Sequence, residues 1–350
     1  MHKTFPILFG FSCSDNRQSK IENRKWCGLV ALVIAFVGLA GSGVAQQPTK
    51  VPRIGYLAGT SPSGIADRIE AFRQGLRELD YVEGKNIVIE YRYAEGQASR
   101  ERELAAELVR LKVDIIVTAG SAATRPTKEA TNTIPIVMTN EDDPVGTGFV
   151  ASLARPGGNI TGLSNLAPEL SGKRLELLKE IIPKLSRVAL FRTSTQPGSA
   201  QTLKEVELAA KVFKVQLQNL EVLDSKDIET VFLAANKGRA DAVLMMAGGA
   251  VVSAHRTAIA ELAVKNRLPV MYSFSQFVEA GGLMTYGVNQ YDLDRRAATY
   301  VDKILKGTKP ADLPVEQPIK FEFIVNLKAA KQIGLTIPPN VLVRADRVIR

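Results

Sequence analysis

The sequence has little of the side-chain chemistry on which metal binding and nucleophilic catalysis depend. Only two cysteines, Cys13 and Cys27, and two histidines, His2 and His255, occur among its 350 residues. Three of these four side chains lie before Ala45, where the composition of the chain changes. The rest of the chain therefore keeps one histidine and no cysteine, which excludes a disulfide, a thiol nucleophile and a histidine cluster for a metal. Sequences of the forms GxxxxGK[ST] and GxSxG are also absent.

The amino-terminal segment has the pattern of an export signal. Two basic residues, Arg24 and Lys25, precede the uncharged run WCGLVALVIAFVGLAGSGVA, which ends in small residues. This pattern predicts a signal peptide over residues 1–45, cleavage after Ala45 and delivery to the periplasm. An uncleaved membrane anchor stays open as the alternative, because the apolar run is just long enough to span a bilayer.

The charge balance gives no sign of a nucleic-acid partner. The formal net charge is +9, and it falls to +6 without the predicted leader, which holds five basic and two acidic residues. Acidic and basic side chains alternate along the predicted helices and do not form a basic cluster. We therefore expect a mildly basic surface and no binding to DNA or RNA.

Short apolar runs alternate with amphipathic segments, which is typical of an α/β fold. RIGYLA, NIVIEYRYA, VDIIVTAG and IPIVMT read as strands, and the segment from Ile65 to Leu76 has helical spacing of its apolar residues. The alternation predicts parallel sheets covered by helices on both faces, in two consecutive units. The carboxyl-terminal tail is too short for a third domain, so we expect it to return to both units and create hinge crossings beside a cleft. The predicted organisation is a first lobe over 52–164 plus about 287–320 and a second lobe over 165–286 plus about 321–350.

Gly146, Gly148 and Ala151 match G-x-G-x-x-A, one form of the dinucleotide-binding fingerprint. That fingerprint belongs in the first strand-to-helix turn of a sheet, directly before the crossover helix. Here the glycines follow the fourth predicted strand, and FVASLARPGG is too short for that helix. We interpret them as turn residues and expect no nucleotide cofactor, no metal and no other cofactor.

Small polar residues follow the predicted strands in five loops. Hydroxyl groups and free backbone N–H groups at helix starts suit a carboxylate, and an aspartate beside them suits an amine. For each loop taken alone, helix capping is the better explanation, but five such loops across two lobes favour a small polar ligand. Asp142 and Asp143 could also form a carboxylate pair for acid/base chemistry, although helix capping or contact with a ligand ammonium group explains them better. Tyr272 and Tyr286 are positioned either to cover a ligand or to fill the core. The loop residues are Thr60, Ser61, Ser63, Ser121, Thr124, Asp142, Asp143, Thr193, Ser194, Thr195, Gly248 and Gly249.

Several stretches carry a family resemblance from about Pro52 to the end of the chain. They include AFRQGLRELDYVEGKNIVIEYRYAEG, IPIVMTNEDDPVGTGFVASLARPGGNITGLS, ELSGKRLELLKEIIP and the tail KFEFIVNLKAAKQIGLTIPP. The sequence closely resembles the tryptophan/tyrosine-type substrate-binding proteins of ABC transporters. The resemblance implies a type I periplasmic binding protein fold, with two Rossmann-like lobes, three hinge crossings and closure on a small ligand. It also implies no catalysis, and delivery of the ligand to a membrane permease driven by a separate ATPase subunit.

The ligand loops of the family carry over by position to part of the chain. They correspond to Ser61, Ser121, Ala122, Asp143 and Thr193, and then to Gly248 and Tyr272; Ser63 joins them from the first loop. The chain departs from many relatives at FRTSTQPGS, where those relatives have an Asn-Pro-containing loop. Because of this difference the class of ligand stays open between an amino acid and a related carboxylate. A ligand-sensing domain without transport and a periplasmic enzyme remain as alternatives, and we expect a monomer.

Overall fold

The strands form two separate sheets, and the chain completes the first before it starts the second. The computed structural model describes residues 50–246 and 248–350, so the predicted leader over 1–45 lies outside the described residues. The first sheet is fully parallel and has the order β2-β1-β3-β4-β5. Its strands are β1 (Arg53–Ala58), β2 (Val88–Tyr93), β3 (Ile115–Ala119), β4 (Ile136–Glu141) and β5 (Ile160–Ser164).

The second sheet has seven strands in the order β12-β11-β10-β9-β8-β6-β7. All neighbouring pairs are parallel except β10 and β11, which run antiparallel. The strands are β6 (Arg187–Arg192), β7 (Gln216–Glu221), β8 (Ala242–Met245), β9 (Val270–Tyr272), β10 (Met284–Gly287), β11 (Glu322–Asn326) and β12 (Arg347–Ile349).

Helices connect most of the parallel strands. Among the described residues, no helix is both long enough and apolar enough to cross a membrane. Helices α1–α3 connect strands of the first sheet, and most of the other helices connect strands of the second. The helices are α1 (Pro62–Arg77), α2 (Ala98–Arg110), α3 (Ser121–Ala130), α4 (Ala167–Ile181), α5 (Ser199–Phe213), α6 (Asp227–Lys237), α7 (Gly249–Ala254), α8 (Arg256–Lys265), α9 (Ser275–Glu279), α10 (Gln290–Leu305), α11 (Leu327–Ile333) and α12 (Pro339–Leu342).

Each sheet has an apolar core on both of its faces. In β6, Val188 and Leu190 belong to one core, while Ala189 and Phe191 belong to the other. Successive side chains of a strand point to opposite faces, so a strand with a near-continuous apolar sequence is buried on both sides. The first sheet has the same arrangement. This explains why the strand segments read as unbroken apolar runs in the sequence.

The chain passes between the two lobes three times. The first crossing joins β5 to α4, the second joins β10 to α10, and the third joins α10 to β11. Although α10 follows the second lobe in sequence, it packs against α1 of the first. A buried ion pair between Arg68 and Asp294 holds these two helices together, with 2.6 Å between Nε and Oδ2. The three crossings lie on one side of a cleft within the compact unit Val51–Arg350.

Candidate functional site: the cleft between the lobes

Loops at the carboxyl ends of strands from both sheets line one cleft. Its main cavity has an empty volume of about 1040 Å³, part of which is open solvent. The first lobe contributes Thr60, Ser121, Ala122 and Asp142, and the second contributes Gln196, Gly248, Phe274 and Phe277. Ligands of open parallel sheets bind beyond the carboxyl ends of the strands, which is where this cavity lies.

The cavity combines aromatic surface with polar groups. Phe274 and Phe277 lie on the second lobe, and Tyr291 faces them from the start of α10 on the first. The Tyr291 hydroxyl donates to Glu279 of α9 at 3.4 Å, so the aromatic end of the cleft is bridged from one lobe to the other. An apolar or aromatic group fits against these rings, while the polar loops lie toward Asp142.

The last residue of β4 and the first two residues of the loop after it are consecutive acids, and their carboxyl groups lie in three different environments. Glu141 is fully buried, and burial raises its pKa to about 8, with a further contribution from the neighbouring charge of Asp142. Its Oε1 bonds the Ser121 hydroxyl and accepts from the Asp142 N–H, whereas its Oε2 has no partner among the described residues. Glu141 therefore supports the loops from beneath and does not line the cleft.

Among the described residues, Asp142 and Asp67 are the two carboxylates that line the main cavity, and of these Asp142 also lines a smaller cavity beside it. The Oδ1 of Asp142 accepts from Asn165 Nδ2 at 2.8 Å, and its Oδ2 accepts from Gln196 Nε2 at 3.3 Å. Asn165 belongs to the first hinge crossing and Gln196 to the second lobe, so one side chain contacts the hinge and both lobes. Burial raises the pKa of Asp142, while the bond from Asn165 and the charge of Arg174 act to lower it.

Asp143 has a structural role that differs from the predicted one. Its Oδ1 accepts from the Gly146 N–H at 2.8 Å, and an added Cβ at Gly146 would lie only 1.9 Å from Oδ2. Gly148 completes the turn with φ +72°. The two glycines that match the dinucleotide fingerprint thus form a turn closed by Asp143. Asp142 and not Asp143 lines the main cavity, so Asp142 is the better placed of the two carboxylates, and ligand contact by Asp143 stays a prediction.

The structure brings some of the predicted site residues together and separates others. Ser121, Ala122 and Gly248 line the main cavity. Thr193 lines a neighbouring opening of the cleft, and its hydroxyl donates to Val222 O at 2.9 Å. These four positions are compatible with ligand contact, and they stay predictions.

Three other predicted positions lie away from the main cavity. Ser61 is the N-cap of α1, and its Oγ accepts from Gly64 N at 3.2 Å, with Ser63 beside it on the exposed side. Tyr272 is fully buried in the second-lobe core and stacks on Phe277 at 5.0 Å between ring centroids. Of the two predicted positions for Tyr272, the structure has the one in the core, and contact of Tyr272 with a ligand stays an untested prediction.

Sequence reasoning missed several residues that line the cleft. Gln196, Phe274 and Tyr291 were not singled out, because each becomes significant only when loops distant in sequence meet. Asn165 and Arg174 lie in the segment that starts the second lobe, which reads as an ordinary helix start. The sequence offers one weak indication that Asn165 belongs to the site: Asn165 immediately follows the buried strand β5, at the point where the chain leaves the first sheet. Among the described residues, no group of three or more His, Cys, Asp or Glu side chains is placed to hold a metal ion.

Comparison with known proteins identifies the family. The family model for ABC transporter substrate-binding proteins matches residues 57–349. The chain belongs to this family. Its tryptophan/tyrosine-type resemblance agrees with a curated relative, the tyrosine-binding protein of Clostridioides difficile, which is 25% identical over 266 residues and covers 76% of each chain.

Solved structures of family members and relatives have the same architecture. A conserved domain protein from Vibrio cholerae has a TM-score of 0.80 and 27% identity, covering 85% of this chain and 100% of its own. An ABC domain from Streptococcus pneumonia in complex with L-Trp has a TM-score of 0.79 and 26% identity, covering 85% and 99%. The fold is that of a type I periplasmic binding protein, as predicted, with two α/β lobes and three hinge crossings.

Proposed function

We propose that this protein is the extracytoplasmic solute receptor of an ABC importer and that it binds an amino acid in the cleft. The observation that carries the proposal is the position of Asp142, a carboxylate that faces the cavity and contacts both the hinge and the opposite lobe. A carboxylate in a partly desolvated cleft favours a cationic partner, and the ammonium group of an amino acid is such a partner.

The remaining surface of the cleft supports a ligand with an apolar side chain. Phe274, Phe277 and Tyr291 provide an aromatic end, and Ser121, Ala122 and Gly248 provide polar contacts from both lobes. The names of the relatives agree, since one is called tyrosine-binding and another was solved with L-Trp. We propose that the mature protein acts in the periplasm as a monomer, performs no catalysis and delivers its ligand to a permease served by a separate ATPase.

Ligand binding stabilises the native state by mass action, so a thermal-shift panel tests the proposal. The purified protein is heated with each of the common L-amino acids, with small carboxylates, sugars and nucleotides as comparison classes. We expect a concentration-dependent rise in Tm with one or a few amino acids, aromatic ones among them. A rise in Tm only with small carboxylates, sugars or nucleotides, or with no compound of the panel, contradicts the proposal.

Delivery to a permease needs a separate measurement in the native host. We expect deletion of the gene to abolish high-affinity uptake of the labelled amino acid found in the panel, and the restored gene to recover it. Binding with unchanged uptake would instead identify a sensing protein.

A further inference from the structure

A second, smaller cavity adjoins the main one and is lined in part by Asn165 of the first hinge crossing. Its empty volume is about 550 Å³, part of which is open solvent, and it shares Asp142, Gln196, Gly248 and Phe274 with the main cavity. The side chains found only at the smaller cavity are mostly polar, and they include Arg174, Asn165 and four hydroxyl-bearing residues. A ligand group that enters past Phe274 therefore reaches a polar chamber.

Arg174 is a buried cation without a bonded carboxylate. Its side chain extends from α4 with only 3% of the residue exposed. It donates to the main-chain oxygen of Tyr286 at 2.7 Å and, with longer contacts of 3.4 Å, to Ser273 O and Ser171 Oγ. These partners are neutral, and within the described ranges no carboxylate oxygen lies within 4.0 Å of the guanidinium. Burial lowers the pKa of Arg174 to about 10, although the charge of Asp142 acts to raise it.

Arg68 provides a contrast within the same cleft. Its guanidinium is also partly buried, but it is neutralised by two bonds to Asp294, at 2.6 and 3.0 Å. An arginine that is already paired in this way has no charge left for a ligand. Of these two arginines, Arg174 is the one that no carboxylate of the described residues bonds directly, and its charge interacts only at longer range with that of Asp142.

Two helix starts reinforce the positive side of the chamber. Ala167 at the start of α4 and Ser199 at the start of α5 both line it. Neither helix has a side-chain cap, so its first N–H groups are not satisfied by a capping side chain. The partial positive charge at these helix ends adds to that of Arg174 and favours an anion.

Two other residues that line the chamber favour a cation. One is Asp142, and beside it Asn165 Oδ1 is buried and has no hydrogen-bond partner among the described residues. Asn165 uses its Nδ2 to bond Asp142 and Asn140, which leaves its carbonyl oxygen as a free acceptor. A buried acceptor without a partner costs free energy that a bound donor recovers.

We propose that this chamber holds the zwitterionic end of the amino acid, with the ligand carboxylate on Arg174 and the ammonium group on Asp142 and Asn165. The ligand side chain then extends past Phe274 into the aromatic part of the main cavity. This inference rests on the proposed function, and it adds Arg174 as the residue that selects for a free carboxylate. Peptides extended at the carboxyl end and amino-acid amides should therefore bind much more weakly than free amino acids.

The experiment is calorimetric titration with L-tyrosine and L-tryptophan and with their carboxamides, which keep the ammonium group and lose the negative charge. A pH of 6.5 keeps the amino groups protonated. The wild-type protein should bind each acid about 30-fold or more tightly than its amide, because the amide cannot form the charge-assisted pair with Arg174. In Arg174→Gln this preference should fall to about threefold or less, while the affinity for the amides changes little.

Arg256→Gln is the matched control, since Arg256 lines the main cavity but not the chamber. It should keep the full preference for the acids. Loss of the preference in Arg256→Gln with retention in Arg174→Gln would overturn the inference, and so would equal wild-type affinity for acid and amide. If no amino acid binds at all, the proposed function itself fails.

Thermal denaturation checks that each variant is folded before its titration is interpreted. Arg174 also bonds main-chain oxygens, so Arg174→Lys serves as a second variant that keeps the charge. A lysine cannot form the two-point contact of a guanidinium with a carboxylate, so the preference should fall several-fold yet remain. A preference equal to that of the wild type in Arg174→Lys overturns the assignment.

Discussion

At the scale of single residues, the acidic loop after β4 shows how position decides the behaviour of a side chain. Glu141 is enclosed beneath the loop, Asp142 faces the cleft, and Asp143 closes a turn. The sequence presents these as three neighbouring acids with no difference between them. Their separation follows from the end of β4, where alternate residues leave the sheet in opposite directions.

The buried Glu141 predicts a dependence of stability on pH. Its pKa is raised from 4.5 to about 8, so the native state binds its proton more tightly than the unfolded state does. Its contribution to stability is complete below pH 4.5 and is lost as the pH rises through 8. Glu141→Gln should flatten this fall and raise Tm by a few degrees at pH 8.

Melting curves between pH 4.5 and 9 of the wild type, Glu141→Gln and Glu207→Gln test this prediction. Glu207 is an exposed acid on α5, and its replacement should leave the pH profile parallel to that of the wild type. If Tm falls with pH equally steeply in the wild type and in Glu141→Gln, Glu141 does not have the raised pKa on which the prediction rests.

At the scale of elements, the return of α10 to the first lobe depends on one glycine of α1. A Cβ at Gly75 would lie 2.1 Å from Arg295 O and 2.9 Å from Ala298 Cβ. The two helices therefore approach more closely than any larger residue allows. Because α10 leads into the third crossing, this contact also fixes where the hinge begins.

Gly75→Ala should destabilise the protein by about 2 kcal/mol or more, since overpacking forces the helices apart. Gly172 on α4 is the matched control, because its Cβ would meet only Ala209 at 3.7 Å. Gly172→Ala should be neutral or stabilise by about 0.5–1 kcal/mol through helix propensity. Urea unfolding measures the free energy of unfolding of both variants, and equal values for Gly75→Ala and Gly172→Ala would contradict the close approach of α1 and α10.

The elements and the site differ in how far the sequence predicts them. Apolar runs such as RIGYLA predict buried strands, because a strand between two helical layers must be apolar on both faces. The contacts of Asp142 with Gln196 and Asn165 join residues that are far apart in the chain, and no local pattern encodes them. The two alternatives for Tyr272 stayed open for the same reason: the side chain of a tyrosine at a strand end lies in the core or in the cleft, and only its packing on Phe277 distinguishes them.

At the scale of the whole molecule, polar contacts around the cleft link the two lobes. Gln196 of the second lobe donates to Asp142 of the first, and Tyr291 of the first lobe donates to Glu279 of the second. Such contacts are formed or broken as a hinge closes or opens. A ligand that binds both lobes shifts this equilibrium toward the closed form.

Gln196→Ala should weaken amino-acid binding about three- to tenfold, because it removes one hydrogen bond that favours closure. Gln201→Ala is the control, since Gln201 bonds Glu205 within α5 on the exposed surface. Small-angle scattering should show a larger radius of gyration for ligand-free Gln196→Ala than for the control. If Gln196→Ala binds the amino acid with unchanged affinity, the bond from Gln196 to Asp142 does not contribute to closure of the lobes.

The central claim is that Asp142, and not the adjacent Asp143, holds the ammonium group of an amino acid. Calorimetric titration of the wild type, Asp142→Asn and Asp143→Asn with the amino acid that gives the largest thermal shift tests it most directly. We expect Asp142→Asn to bind about 10- to 100-fold more weakly and Asp143→Asn to bind within about threefold of the wild type. Full affinity in Asp142→Asn, or a loss confined to Asp143→Asn, would contradict the account.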